Sequence, residues 1–238
     1  MLYQFVKERY RHFRLNRERL SVTCDMPVTK LGGQHGWPVL PGLMNSDSVV
    51  YSFGVGSNVD WDLEMIDRFG VQIHAFDPTP ESIEWVARQQ LPREFHFHDY
   101  GIAAFDGVLN FYPPKKPGRI NYSQDKRKFN QSDQPQVAGQ VCRLSTILRR
   151  LGHARIDVLK IDVEGTEFDC LPEILNARIE IGQLLVEVHY HHPSRSFSQG
   201  VQLLKQVQAA GFECFDISPR GLEFAFVNRR PLEKRRAA

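Results

Sequence analysis

From residue 48 onward, short apolar runs alternate with stretches of helical period. Ser48–Phe53, Val71–Phe76, Phe95–His98, Val108–Tyr112, Ile156–Ile161, Gln183–Val188, Glu213–Ile217 and Leu222–Val227 read as strands. Between them, helices are predicted from the turn at Gly54–Asn58 to about Phe69, and over Glu81–Gln90, Ser145–Leu151, Thr166–Leu175 (with Pro172 inside it or at a break) and Phe197–Ala210. Strands alternating with helices call for an α/β fold, a mostly parallel sheet with helices on both faces. The last two strands are joined through Pro219-Arg220-Gly221, a connection too short for a crossover, so they should be antiparallel.

The flanks differ. Residues 2–20 can form an amphipathic helix with Leu2, Phe5, Val6, Phe13 and Leu20 roughly on one side, expected to pack on the domain as a solvated helix. The Gly- and Pro-rich stretch 27–48 predicts turns. Residues 113–140 are polar, hold four of the 14 prolines and carry Lys126-Arg127-Lys128. They read as a long irregular insert, either a lid over a site or a surface loop. The division is a basic N-terminal helix (1–26), one domain (27–228) and a basic tail (229–238).

Composition adds little until it is divided along the chain. The 238 residues are 42% hydrophobic and 24% charged, ordinary for a folded domain, with a formal charge of +2. Residues 1–20 carry six cations against two acids, and 229–238 carry five against one. Each end is therefore +4 and the body −6, which argues against a nucleic-acid partner for the domain itself. No apolar run is long enough for a transmembrane segment, and charges follow Val6 too soon for a secretory signal. Cys24, Cys142, Cys170 and Cys214 form no CxxC pair, so the expectation is free thiols in a cytoplasmic protein.

Two strand ends carry the candidate chemistry. The first runs into Gly54-Val55-Gly56-Ser57-Asn58 and a helix, bringing backbone N–H groups beside a ligand. Asp77 ends the next strand, where a carboxylate can accept both ribose hydroxyls of an adenosine. Val59 stands where a dinucleotide fingerprint would have its third glycine, and no GxxxxGK loop exists to cradle phosphates. A nucleoside cofactor without phosphates fits better, and S-adenosylmethionine is the common one. His98 and Asp99, ending the third strand, are placed to meet adenine.

The second strand end is Lys160-Ile161-Asp162-Val163-Glu164-Gly165-Thr166-Glu167. Acids near a helix start favour the helix dipole, which accounts for Glu167 but less well for Asp162 and Glu164, ahead of the turn. The neighbouring strand ends Glu187-Val188-His189-Tyr190-His191-His192. His189, directly after a buried strand, is a proton-transfer candidate, and His191 and His192 read as structural or solvated. Asp162, Glu164, Glu187 and His189 could together hold a metal, but adjacent residues of a strand point to opposite faces and the spacing is not diagnostic, so no metal is expected.

The runs VYSFGVGSN, HAFDPTP, VLKIDVEGTEFDCL and QLLVEVH resemble the FkbM-type methyltransferases and related methyltransferase-like proteins over about residues 30–228. KIDVEGTE is the most specific of these pieces. The resemblance implies a Rossmann-like class I methyltransferase sheet of seven strands, order 3-2-1-4-5-7-6 with the seventh antiparallel. It also implies S-adenosylmethionine as donor and O-methylation as the chemistry. Gly54, Gly56, Ser57 and Asn58 would then floor the cofactor and Asp77 hold its ribose. Where the family carries an acid before its glycine turn this chain has Gly54, so Asp60 or Asp162 is expected to hold the methionine ammonium. Asp162 or His189 would be the base and Glu164 would orient a saccharide or other small-molecule hydroxyl. Two alternatives stand beside this: a regulatory protein that binds the donor without chemistry, and an RNA-associated methyltransferase using the basic ends.

Overall fold

The computed structural model describes residues 2–114, 122–124, 136–192 and 194–229. In chain order the elements are α1 (Leu2–Arg17), β1 (Thr29–Leu31), β2 (Trp37–Val39), β3 (Val49–Phe53), α2 (Asp60–Phe69), β4 (Gln72–Phe76) and α3 (Pro80–Ala87). Then follow β5 (Phe95–His98), β6 (Gly101–Ile102), β7 (Gly107–Phe111), β8 (Val137–Cys142), α4 (Leu144–Leu151), β9 (Ile156–Ile161) and α5 (Glu167–Asn176). The chain closes with β10 (Ile181–Glu187), α6 (Phe197–Ala209), β11 (Phe212–Ile217) and β12 (Glu223–Asn228). α5 runs unbroken through Pro172.

Seven strands form one sheet in the order β11-β12-β10-β9-β3-β4-β5. β12 is antiparallel to both neighbours, and the β10–β9, β9–β3, β3–β4 and β4–β5 pairs are parallel. Counting only these strands, the order is 3-2-1-4-5-7-6, as expected. Alternation along the central strands builds a core on each face. Tyr51, Phe53, Leu159, Ile161, Leu184 and Val186 join the core that includes α4, α5 and α6. Val50, Val158 and Leu185 point the other way, into the core under α2 with Trp37 and Trp61. Leu184 and Leu185 are both fully buried, and each contributes about 1.5–3 kcal/mol by burial, so register is fixed from both sides.

The connections after β3 lead to one side of the sheet, and those after β9 to the other. Their adjacent C-terminal ends form the switch point of the fold, where a crevice opens. Polar residues tie these strands at both ends. Asp157 Oδ2 accepts the Val49 N–H at 2.8 Å. The buried Lys160 ammonium lies 3.4 Å from the Gly54 carbonyl and 5.6 Å and 6.0 Å from the Trp37 and Trp61 ring centres.

Three expectations change. α1 ends at Arg17, leaving Leu20 beyond it, and Phe5, Val6 and Phe13 are more than half exposed at 53%, 56% and 57%. The opposite side docks: Leu15 is buried, His12 Nε2 is 3.0 Å from the Ser218 carbonyl, and Arg14 lies 3.7 Å over the Phe197 ring. Long cationic stems cover apolar surface as well as a phenyl ring does, so apolar periodicity picked the wrong face. Residues 29–31 and 37–39, expected as turns, pair as a small antiparallel sheet. Residues 137–140, assigned to the insert, open β8, which pairs antiparallel with β7 and parallel with β6. One inward position of β8 is Gly139, whose added Cβ would sit 2.7 Å from Pro78 Cβ, and a glycine leaves no hydrophobic alternation to read. Lys126-Arg127-Lys128 lies outside the described residues.

Candidate active site

The turn after β3 is stitched between its two neighbours. Gly54 N–H donates to the Phe76 carbonyl, and Asp162 N–H to the Phe53 carbonyl, each at 3.0 Å. Gly54 has φ +90°, and a Cβ there would lie 1.8 Å from the Asp162 carbonyl oxygen. The glycine is thus required by the approach of the β9–α5 loop as well as by the turn. Beyond it, Asp60 N–H donates to Asn58 Oδ1 at 3.0 Å, and Asn58 Nδ2 donates to Asp60 Oδ2 at 2.8 Å. Asp60 is exposed and belongs to the start of α2, outside the cavity wall.

A cavity of about 440 Å³ opens at the switch point. Gly54, Gly56, Ser57 and Asn58 line it, Phe76, Ile102 and Phe111 give it apolar surface, and Asp162 and Glu164 line it beside the glycine turn. Asp77 also borders the cavity, but its carboxylate is engaged. Oδ2 accepts the Val55 and Gly56 N–H groups, each at 3.0 Å, and Oδ1 accepts the Thr79 N–H at 3.0 Å and hydroxyl at 2.6 Å. All four lone-pair positions are in use, so the carboxylate shapes the glycine turn from below. His98 stacks 4.6 Å from the Phe76 ring and 5.4 Å from His74, away from the cavity wall, and Asp99 is exposed. Gly101 and Ile102 occupy the cavity edge expected for His98 and Asp99. Tyr122, within the predicted insert, lines the cavity and donates its hydroxyl to Glu81, while Ser123 Oγ donates to the Glu164 carbonyl at 2.5 Å.

Beside the cavity, β9 and β10 bring their end residues together around His189, which is 2% exposed. Glu167 Oε1 accepts the His189 N–H at 2.8 Å and lies 3.2 Å from Nδ1, while its Oε2 accepts the Gly165 N–H at 2.8 Å. Nε2 faces the other way, 3.5 Å from Glu164, 3.6 Å from Glu187 and 3.9 Å from Asp162. His192, also buried, places Nε2 3.6 Å from the same Glu164 oxygen. Burial opposes a charge on His189, but the Glu167, Glu187 and Glu164 carboxylates outweigh it and hold the imidazole proton up to about 10. Burial would likewise raise Glu167, yet its bonds to His189 keep it below the ordinary carboxylate range. Loss of water and the nearby Glu187 charge push Asp162 up to about 7.

A seven-stranded sheet in this order, with a glycine turn and an acidic strand end meeting at the switch point, defines a Rossmann-like class I methyltransferase. The chain belongs to the FkbM methyltransferase domain family, whose model matches residues 49–214. It is 28% identical over 189 residues to human "Probable methyltransferase-like protein 24", covering 73% of this chain and 43% of that protein. The Rattus norvegicus protein of the same name is 29% identical over 177 residues, 70% of this chain and 42% of that one. The chain thus spans less than half the length of these relatives. Among solved structures, Aeropyrum pernix fibrillarin with natively bound S-adenosyl-L-methionine aligns at a TM-score of 0.42 and 14% identity, over 77% of this chain and 66% of its own.

S-adenosylmethionine is the cofactor of the family, and the cavity fits it. The apolar wall of Phe76, Ile102 and Phe111 can take an adenine, and Ser57 and Asn58 can bond the methionine end. Of the residues expected from sequence, Gly54, Gly56, Ser57, Asn58, Asp77, Asp162 and Glu164 border the cavity, and His189 lies behind the last two. Asp60, His98 and Asp99 are not brought there. Glu167, expected as a helix-start acid, and His192, expected as structural or solvated, are both buried, the first against His189 and the second beside Glu164.

Proposed function

We propose that this chain O-methylates a hydroxyl of a saccharide or other small metabolite. The observation that carries the reading is the placement of Asp162 and Glu164 on the wall of the cofactor-sized cavity, beside the glycine turn. Bound S-adenosylmethionine supplies a methyl group activated by its sulfonium, so the protein mainly has to align an acceptor oxygen and remove its proton. Gly54, Gly56, Ser57 and Asn58 cradle the donor. Asp162, which faces the cavity, takes the acceptor proton. Glu164 orients the acceptor by accepting a second hydroxyl, and His189 holds both carboxylates in place from behind. A mouth lined by carboxylates favours a neutral polyhydroxy acceptor and repels a phosphodiester, which supports a small hydroxyl substrate over RNA. The four cysteines are free and buried, which supports the cytoplasmic expectation. Among the described residues no helix is long and apolar enough to cross a membrane.

Mass spectrometry of acceptor panels incubated with isotopically labelled donor tests the activity. Asp162→Asn should lower turnover by about a hundredfold or more while calorimetry shows donor affinity maintained. Turnover equal to the parent chain would remove the base assignment. Loss of donor affinity would instead move Asp162 to the methionine ammonium.

A further inference from the structure

We infer that Glu164, His189 and His192 form a binding site for a first-row divalent cation, on the acceptor side of the cavity. Each offers one ligand atom, a carboxylate oxygen or a ring nitrogen, and these three atoms all lie within 4.8 Å of one another. The Glu164 oxygen is 3.5 Å from His189 and 3.6 Å from His192. These separations are longer than ordinary hydrogen bonds and close to the about 3–3.5 Å kept by two ligands that share one ion. Both histidines are buried, at 2% and 3% exposure, and the carboxylate lies on the cavity wall, so an ion there would retain open positions toward the cavity.

The orientation of His189 is the second observation. Its Nδ1 and backbone N–H are both engaged by Glu167, a fully buried carboxylate, which leaves Nε2 aimed into the cluster. A carboxylate behind one ring nitrogen, with the other nitrogen presented to a set of acids, is how metal-bound imidazoles are oriented. Two imidazoles with carboxylate oxygens suit manganese through zinc better than magnesium or calcium. Asp162, 3.9 Å from His189 Nε2, stands on the cavity side of the ion. Glu187, 3.6 Å from the same nitrogen, is drawn outward by Arg220 at 2.8 Å and is the weaker candidate ligand.

The acceptor class then narrows, and this step rests on the methyl-transfer reading. An acceptor with two adjacent oxygens, a vicinal diol or an α-hydroxy acid, would take both into the open positions. The ion would acidify the hydroxyl to be methylated, whose proton passes to the Asp162 carboxylate.

The test uses the whole chain, stripped with EDTA and titrated with Mn²⁺ by electron paramagnetic resonance and with Zn²⁺ by calorimetry. S-adenosylmethionine binding is measured in parallel. The expected result is one ion per chain, with Glu164→Gln and His192→Gln each weakening it by about tenfold or more. His189→Gln is avoided as the sole probe because its contacts with buried Glu167 make it prone to misfolding. No stoichiometric ion in the parent chain, or a smaller effect in either folded variant, overturns the site and leaves a proton as the only cation on His189. Donor binding without metal binding defeats this inference alone. Metal binding without donor binding keeps the site and defeats the methyl-transfer reading.

Discussion

Single positions in this chain are constrained by backbone neighbours more tightly than their residue types suggest. Gly54 meets the Asp162 carbonyl at a distance no Cβ permits and also needs a positive φ. Gly54→Ala should cost about 2 kcal/mol or more, a fall of roughly 4–8 °C in melting temperature, and weaken donor binding through the displaced turn. An unshifted melting curve would show that the turn tolerates a side chain. Asp77 looked like a ribose ligand because it ends the second strand of the sheet. Its four accepted hydrogen bonds make it a support for Val55, Gly56 and Thr79. Asp77→Asn turns one acceptor into a donor that faces buried donors, so the donor-free protein should lose about 1–3 kcal/mol. If its donor-free stability were unchanged and only calorimetric affinity fell, the carboxylate would return to the ribose. Neither constraint is legible locally, because each depends on a segment over 20 residues away.

At the scale of elements, β4 and β5 carry an imidazole cluster that the proposed chemistry does not use. His74 stacks 5.0 Å from His96 and 5.4 Å from His98, and meets His153 at 5.0 Å. Burial, reinforced by those neighbours, depresses His74 to about 3, and burial also lowers His98 and His153. In the unfolded chain these rings titrate near 6.5, so below that pH the unfolded state binds protons the folded state refuses. Stability from this cluster is fully present above pH 6.5 and declines as pH falls toward 3. His74→Phe keeps an aromatic ring and removes one of these protons, so its melting temperature should fall less steeply than the parent's between pH 6.5 and 4.5. Parallel curves would place the acid sensitivity elsewhere. The strands themselves were readable because each is a short, nearly continuous apolar run. α1 was misread in its docking face, and β8 was missed where Gly139 interrupts the pattern.

For the molecule as a whole, the balance of charge is a cancellation with a spatial meaning. The basic ends flank an acidic body, and acids of that body converge at one sheet edge around His189. At low ionic strength, added RNA should therefore leave donor-dependent methylation of a small hydroxyl acceptor unaltered. Inhibition that fades as salt rises would instead assign the basic ends a phosphate-binding role. The sequence by itself determined the strands, the glycine turn and the acidic strand end, because burial period and turn chemistry are local properties that survive without knowledge of neighbours; the strand order followed only from the family resemblance those motifs carry. It placed Asp162, Glu164, Glu187 and His189 on neighbouring strand ends, but it could not show that Glu167 and His192 join them. Asp162 and Glu164 on one strand end, Glu187 and His189 on the next, Glu167 from a helix start and His192 from a loop meet only when β9 and β10 pair in register. That register is set by apolar residues fixed on both faces of the sheet, and the chemistry at its edge follows from their packing.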